Sequence, residues 1–322
     1  MKNRVLLTLT AIILIFTIGC SGKQEPKQKN QAIFDYYKKD IQTFILTDNA
    51  ETFIGKEGTK ITIDPKSLEI IGGKEITGNV QIRLTEYYKS EDILLANLST
   101  SSNNSMIETG GMINLSASSD GQKVVVKKGE EFQIEFSSVE KKGMEIFHGD
   151  FDNEQINWLP KTKTTQINKA GLFAQLMAQS ENEFIQSDSA IDSAMTWEQY
   201  DSFNILSSSK LGWINCDRFL KLNNLTTVKV IYDTVFKPSA FLIFKEINSV
   251  MPNLLNPNMT TYGKFKNIPT GYKATLIAFT MHEEKTYFSA KEIVIDEEMV
   301  LKINFEEVSL EKIKEKIKTM TE

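Results

Sequence analysis

Histidine and cysteine are scarce in this chain of 322 residues, with two of each. Two cysteines exclude a disulfide scaffold, and two distant histidines, His148 and His282, argue against a His-rich metal site or a Ser-His-Asp arrangement. Proline is also scarce, with seven, and the 17 glycines follow no repeat, so a collagen-like chain is excluded. Basic charge is not in excess: the formal net charge is −5, which argues against a polybasic nucleic-acid binder. Beyond Ile18 no apolar run approaches the ~20 residues a membrane-spanning helix needs. The chain lacks His-Glu-x-x-His, Gly-x-Ser-x-Gly, Walker and Rossmann patterns, so no catalytic residue and no cofactor is assigned. What is present is 41% hydrophobic and 25% charged residues, ordinary for one to three folded domains with a sizeable core.

Lys2 and Arg4 precede an uncharged apolar run from Val5 to Ile18, which is too short to span a bilayer and reads as a secretory signal. The run ends Thr17-Ile18-Gly19-Cys20. A small residue directly before cysteine at that place resembles the lipobox of bacterial lipoproteins, in which signal peptidase II cuts before the cysteine; Thr17 departs from the leucine most often found there. The resemblance implies that residues 1–19 are a lipoprotein signal peptide. It also implies that Cys20 carries lipid, palmitate included, and that the membrane is a partner through that lipid. The address is then the bacterial cell envelope, at the outer membrane, since Ser21 gives no inner-membrane retention signal by the enterobacterial rule. Several acyl chains anchor durably where one is marginal, because each buried CH₂ contributes ~0.8 kcal/mol. Loss of Lys2 and Arg4 moves the net charge from −5 to −7, and an acidic body is repelled by anionic lipid and nucleic acid. Residues 20–40 are expected as the lipidated cysteine and a flexible tether, because Ser21 to Gln31 has almost nothing apolar to bury.

From 41 to 160 short alternating strands predict a first β-sandwich. Ile61 and Ile63 alternate with Thr62, Val80, Ile82 and Leu84 with Gln81 and Arg83, and Phe132, Ile134 and Phe136 with Gln133 and Glu135. Turns are expected at Gly72-Gly73, Asn103-Asn104 and Asp120-Gly121. The segments Gly58 to Pro65, Gly73 to Leu84, Thr109 to Leu115 and Trp158-Leu159-Pro160 resemble a β-domain of uncharacterised Bacteroidota envelope lipoproteins, similar in outline to ZU5 and GAIN-type sandwiches. Some of those domains cleave themselves at a His-Phe-Ser or His-Leu-Ser/Thr site. Phe147-His148-Gly149 lacks the nucleophile, so no autoproteolysis is expected here.

Residues 161–209 turn polar and predict a helical insertion or linker, with a stripe of Leu172, Phe173, Leu176 and Met177; Ser180 to Asp192 reads as either ordered or disordered. Strands return over 210–306 and predict a second, smaller sandwich. There Phe265 to Ala274, then Ile293 to Ile295 and Leu301 to Phe305, resemble the transthyretin-like fold of carboxypeptidase regulatory-like domains. In those domains the Phe-x-x-Ile-Pro-x-Gly-Tyr motif bends the chain between two strands, and they bind or space rather than catalyse. Residues 307–322 predict an amphipathic helix, with Ser309 as cap and Leu310, Ile313, Ile317 and Met320 on one face. The expected fold is mainly β: two β-sandwich domains with a partly helical insertion between them and a C-terminal helix.

The chemistry-bearing candidates are few. Asp150, Asp152 and Glu154 gather oxygens in an expected loop and form a weak calcium candidate, against a plain solvated turn. Tyr87, Tyr88, Trp158, Trp197 and Trp213 are candidates to stack on sugar rings, against a role in the core. Cys216 is expected to be a small buried thiol, since nothing in the sequence brings a histidine near it. The expected function is a non-catalytic binding or assembly module with an envelope protein partner; the alternatives are a glycan-binding protein and a hydrolase using two carboxylates. Cys20→Ser should abolish palmitate labelling and release or mislocalise the protein. Unchanged incorporation of labelled palmitate in that variant would remove the anchor.

Overall fold

A computed structural model describes residues 30–137, 143–152, 155–161, 205–233, 236–253 and 261–321. The chain is mainly β, with two sandwiches and a C-terminal helix. The first sandwich has a nine-stranded sheet whose main path runs β1 (Gln42–Leu46), β5 (Val80–Tyr87), β7 (Ser105–Ser119), β13 (Gly212–Phe219), β10 (Glu145–Asp152), β11 (Gln155–Pro160). Off that path, β8 (Gln122–Val126) pairs with β7 and β4 (Leu68–Ile70), and β6 (Ser101–Ser102) pairs with β7. Its facing sheet is β12 (Ile205–Ser208), β9 (Phe132–Glu135), β3 (Lys60–Ile63), β2 (Glu51–Ile54). The alternation that predicted these strands is the reason they face each other. Ile61, Ile63, Ile134 and Phe136 of one sheet or its margin meet Ile82, Leu84, Ile113 and Leu115 of the other in a closed core.

The second sandwich sets the sheet β17 (Tyr262–Pro269), β14 (Leu225–Ile231), β20 (Val300–Lys302) against β16 (Ser249–Pro252), β15 (Ser239–Phe244), β18 (Lys273–His282), β19 (Lys285–Val294), β21 (Glu306–Val308). The Pro269 to Tyr272 bend carries the chain from one of these sheets to the other, with Gly271 at φ +82°. A third core joins the two sandwiches. The outer face of the nine-stranded sheet contributes Tyr87, Met112, Phe147 and Trp158, and the five-stranded sheet contributes Phe241, Ile243, Ile277 and Phe279. Three short helices seal its sides: α1 (Gln31–Tyr36), α2 (Ser90–Leu95) and α3 (Lys312–Thr321). Ile313 and Ile317 of the expected C-terminal stripe are fully buried there.

Three expectations change. The tether expected over 20–40 is folded from Asn30 onward: α1 buries Ile33 and Phe34, and Asn30 is a polar peg in the second sandwich. Its Nδ2 donates to Lys237 O (3.1 Å) and Ser239 Oγ (3.0 Å), while its Oδ1 accepts from Thr280 Oγ1 (3.2 Å) and Met281 N (3.1 Å). Both amide hydrogens and both acceptor sites are thereby used. The boundary expected at 210 also moves, because β13 inserts between β7 and β10 and β12 pairs with β9, so 205–219 belongs to the first sandwich. Long-range pairing of this kind leaves no local mark in the sequence. Finally, Asp150 and Asp152 lie on strand β10 in a hairpin with β11, not in a loop. Of the helical insertion or linker expected over 161–209, residues 205–208 are strand β12 and 162–204 lie outside the described residues, with Trp197 and the segment Ser180 to Asp192, as do Cys20 and Glu154.

Removal of the peg is costly because it strands buried donors and acceptors. Asn30→Ala should lower the unfolding free energy by about 2–4 kcal/mol in urea titrations. An unchanged midpoint would mean that Asn30 contributes nothing to docking the N-terminal segment.

Candidate functional site

Of the aromatic candidates, Trp158 and Tyr87 are buried, and Tyr88 and Trp213 are half-buried. Trp158 is fully enclosed and its Nε1 donates to Ser99 O (2.6 Å). Tyr88 sits inside with its hydroxyl 2.7 Å from Thr59 Oγ1, and its ring fills the space beside Gly111, where a Cβ would lie 2.3 Å from Cε1. Tyr87 and Trp213, by contrast, come together on the outer face of the nine-stranded sheet, where they meet Phe151 of β10. The ring centroids are 5.6 Å apart for Tyr87 and Trp213 and 6.2 Å for Trp213 and Phe151. Exposure rises along the row, from buried Tyr87 through half-buried Trp213 to Phe151 at 51%. Phe151 went unrecognised in the sequence, although it lies two residues after Gly149.

Strand register explains the row. Trp213 is paired with Asn114, and Asn114 with Thr85, so three strands present Thr85, Asn114 and Trp213 in one line. On the other side of Trp213 the neighbouring strand carries Gly149, where a Cβ would fall 2.8 Å from Trp213 Cβ and 2.5 Å from Ile156 Cδ1. Glycine is thus the residue that lets the indole lie down on the sheet. The next line, Thr43, Arg83 and Ser116, is exposed. The side chains of Arg83, Asn114 and Ser116 have no hydrogen-bond partner among the described residues. The buried end of the row is held by charge. Lys39 Nζ lies 5.5 Å from the Tyr87 ring centroid, contacts Glu57, and bonds Asp92 Oδ2 at 3.0 Å, while Lys314 Nζ bonds Asp92 Oδ1 at 2.7 Å. Burial alone would raise the Asp92 pKa, but the two lysines hold it below the usual carboxylate range.

The other chemistry-bearing groups are engaged internally. The fold does bring a histidine near Cys216, contrary to expectation: Ile146 pairs with Cys216 and His148 with Ile214 on adjacent strands. Yet Cys216 is buried, and burial followed by the charge of Asp217 pushes its thiol well up, away from the thiolate form. His148 Nε2 is 2.9 Å from Ser208 Oγ, and that hydroxyl donates to Lys210 O (2.8 Å). The imidazole is therefore the donor to Ser208 and takes no proton from it. Burial, with Lys210 and Lys161 nearby, lowers the His148 pKa to about 4, so the ring is neutral at neutral pH. Asp217 is fully buried with neither oxygen hydrogen-bonded, since Thr109 Oγ1 gives its proton to Asn215 Oδ1 (2.7 Å); burial raises its pKa well above the normal range. Glu86, also buried, would be raised by burial, but Thr59, Gln42 and the backbone N–H groups of Glu57 and Thr59 bring it below the normal value. Asp150 faces Asn157 across the hairpin, and no group of three or more His, Cys, Asp or Glu suited to a metal occurs among the described residues.

Among the described residues no helix is long and apolar enough to cross a membrane. Compared with known proteins, the chain matches no family model and no curated sequence. Its geometry offers an aromatic row beside unpaired amide, hydroxyl and guanidinium groups on an open sheet face. Gly149→Ala should displace the indole, cost about 1–3 kcal/mol by overpacking and shift tryptophan emission. An unaltered spectrum and midpoint would show that Trp213 does not rest on Gly149.

Proposed function

We propose that this is a lipid-anchored, non-catalytic binding protein of the bacterial cell envelope, held at the outer membrane through Cys20, and that its ligand is a glycan. Trp213 and Phe151, backed by buried Tyr87, carry the choice of ligand. A pyranose has an apolar C–H face and a polar rim, and Trp213 and Phe151 present apolar ring surface while Asn114, Ser116 and Arg83 reach the hydroxyls. The resemblance of the C-terminal part to transthyretin-like domains, which bind or space, supports a non-catalytic binding role.

The anchor and the fold set the working distance. If Cys20 carries the lipid, only residues 21–29 separate it from the Asn30 peg. That length spans about 30 Å at most when fully extended. The second sandwich, which holds the peg, is then the part nearest the membrane.

The test is a panel of envelope and extracellular polysaccharides, with binding followed by affinity electrophoresis and then calorimetry on any positive. Trp213→Ala should weaken binding about thirtyfold or more, as a central aromatic contact does. Phe151→Ala, at a residue half in solvent, should weaken it about tenfold with its melting temperature unchanged. Retention of full affinity in Phe151→Ala and Trp213→Ala together, or binding to no member of the panel, would remove the glycan from this reading.

A further inference from the structure

The nine-stranded sheet ends in two ways. At β11 the edge is covered: Ser99 Oγ donates to Ile156 O (3.2 Å), and Asn103 and Asn157 exchange bonds of 2.7 and 3.1 Å. At β1 it is bare, for the backbone of Thr43–Leu46 makes no hydrogen bond besides those to β5 among the described residues. Edge strands are normally protected by charge, proline or a bulge. Residues 41–47, Ile-Gln-Thr-Phe-Ile-Leu-Thr, have none of these, and Ile41 and Ile45 are 44% and 47% exposed. An uncharged, extended, half-apolar edge is a template for another strand.

We infer that the occupant is a second copy of this chain, pairing β1 with β1 antiparallel about a two-fold axis through Thr43. The segment is self-complementary in that register. Thr43 faces Thr43 of the second copy, Ile41 faces Ile45, and Gln42 faces Phe44, so each exposed isoleucine gains an apolar cross-strand neighbour. Beyond the strand, Lys38 precedes β1 and Asp48 follows it in the bend before β2, so the same axis sets the basic approach to one strand beside the acidic exit of the other at both ends. Both residues are exposed, and neither side chain has a partner among the described residues. A one-residue slip would place isoleucine against the inner-face residues. The inference is independent of the glycan reading, since it rests on the edge and not on the face.

The experiment uses the full chain in cells, with Cys216 buried in the background. Thr43→Cys places two thiols on the axis at a Cα separation of about 4.5–5.5 Å, within disulfide reach. Mild oxidation should convert most of the protein to a covalent dimer on a non-reducing gel. Ile45→Cys, displaced from its own counterpart, should crosslink at least tenfold less. In sedimentation of the detergent-solubilised chain, Lys38→Asp should weaken the dimer severalfold, and Lys38→Asp with Asp48→Lys should restore it. Three results would overturn the proposal: a Thr43→Cys protein that stays monomeric although its thiol reacts with maleimide, equal crosslinking by both cysteines, or crosslinking of Thr43→Cys to a different protein.

Discussion

The outer face of the nine-stranded sheet is apolar at one end and must be kept from water. Tyr87, Met112, Phe147 and Trp158 project there, and each large side chain of this kind contributes about 1.5–3 kcal/mol when buried. The first sandwich cannot cover that surface itself, because its own facing sheet occupies the opposite side. The five-stranded sheet of the second sandwich covers it, and α1, α2 and α3 close the flanks. The two sandwiches are therefore one cooperative unit, although each has its own core. The Asn30 peg and the Lys39, Asp92 and Lys314 network tie chain segments to the seam they border. For Asp92 the two lysines outweigh the desolvation penalty of burial, since its pKa lies below the usual carboxylate range.

The uncovered end follows from the same strands. Along β5 the outward residues pass from Tyr87 to Thr85, Arg83 and Gln81, and along β7 from Met112 to Asn114, Ser116 and Ser118. The switch from apolar to polar comes within two residues on each strand, and Trp213 and Gly149 mark it on β13 and β10. A face polar throughout would read as plain solvated surface, and a face apolar throughout would demand a cover. Aromatic rings at the border of a polar field are what a ligand with one apolar and one polar side requires.

Much of the fold was legible in the sequence because its signals are local. Asn103-Asn104 and Asp120-Gly121 form two-residue turns with positive φ at both positions, as their composition predicts. Glu283-Glu284 forms the same kind of turn between β18 and β19, at φ +49° and +64°, and was missed because glutamate has no preference for that conformation. The long pairing of β18 with β19 imposes it. Helix α2 was missed too, though Glu91 and Asp92 in its first turn and Ile93, Leu94 and Leu95 after them were its signal. The position of β13 was illegible, since a strand that returns after a long insertion to the middle of a sheet looks like any other strand. The candidate site suffered most. Tyr87 and Trp213 were singled out separately, but the register that joins them to Phe151 exists only once β10 lies beside β13.

The edge and the face also bear on each other. A two-fold axis at Thr43 that runs normal to the sheet keeps the outer faces of both copies on the same side and reverses their strand direction. Each second sandwich covers the end of the sheet that holds Tyr87, so in the pair the two covers stand at diagonally opposite ends. If the pair forms as proposed, a polymer that engages the face of one copy has the face of the other at high local concentration. Weak recognition on a single sheet face is in this way compatible with durable capture, because the second contact adds avidity without any new chemistry at the site.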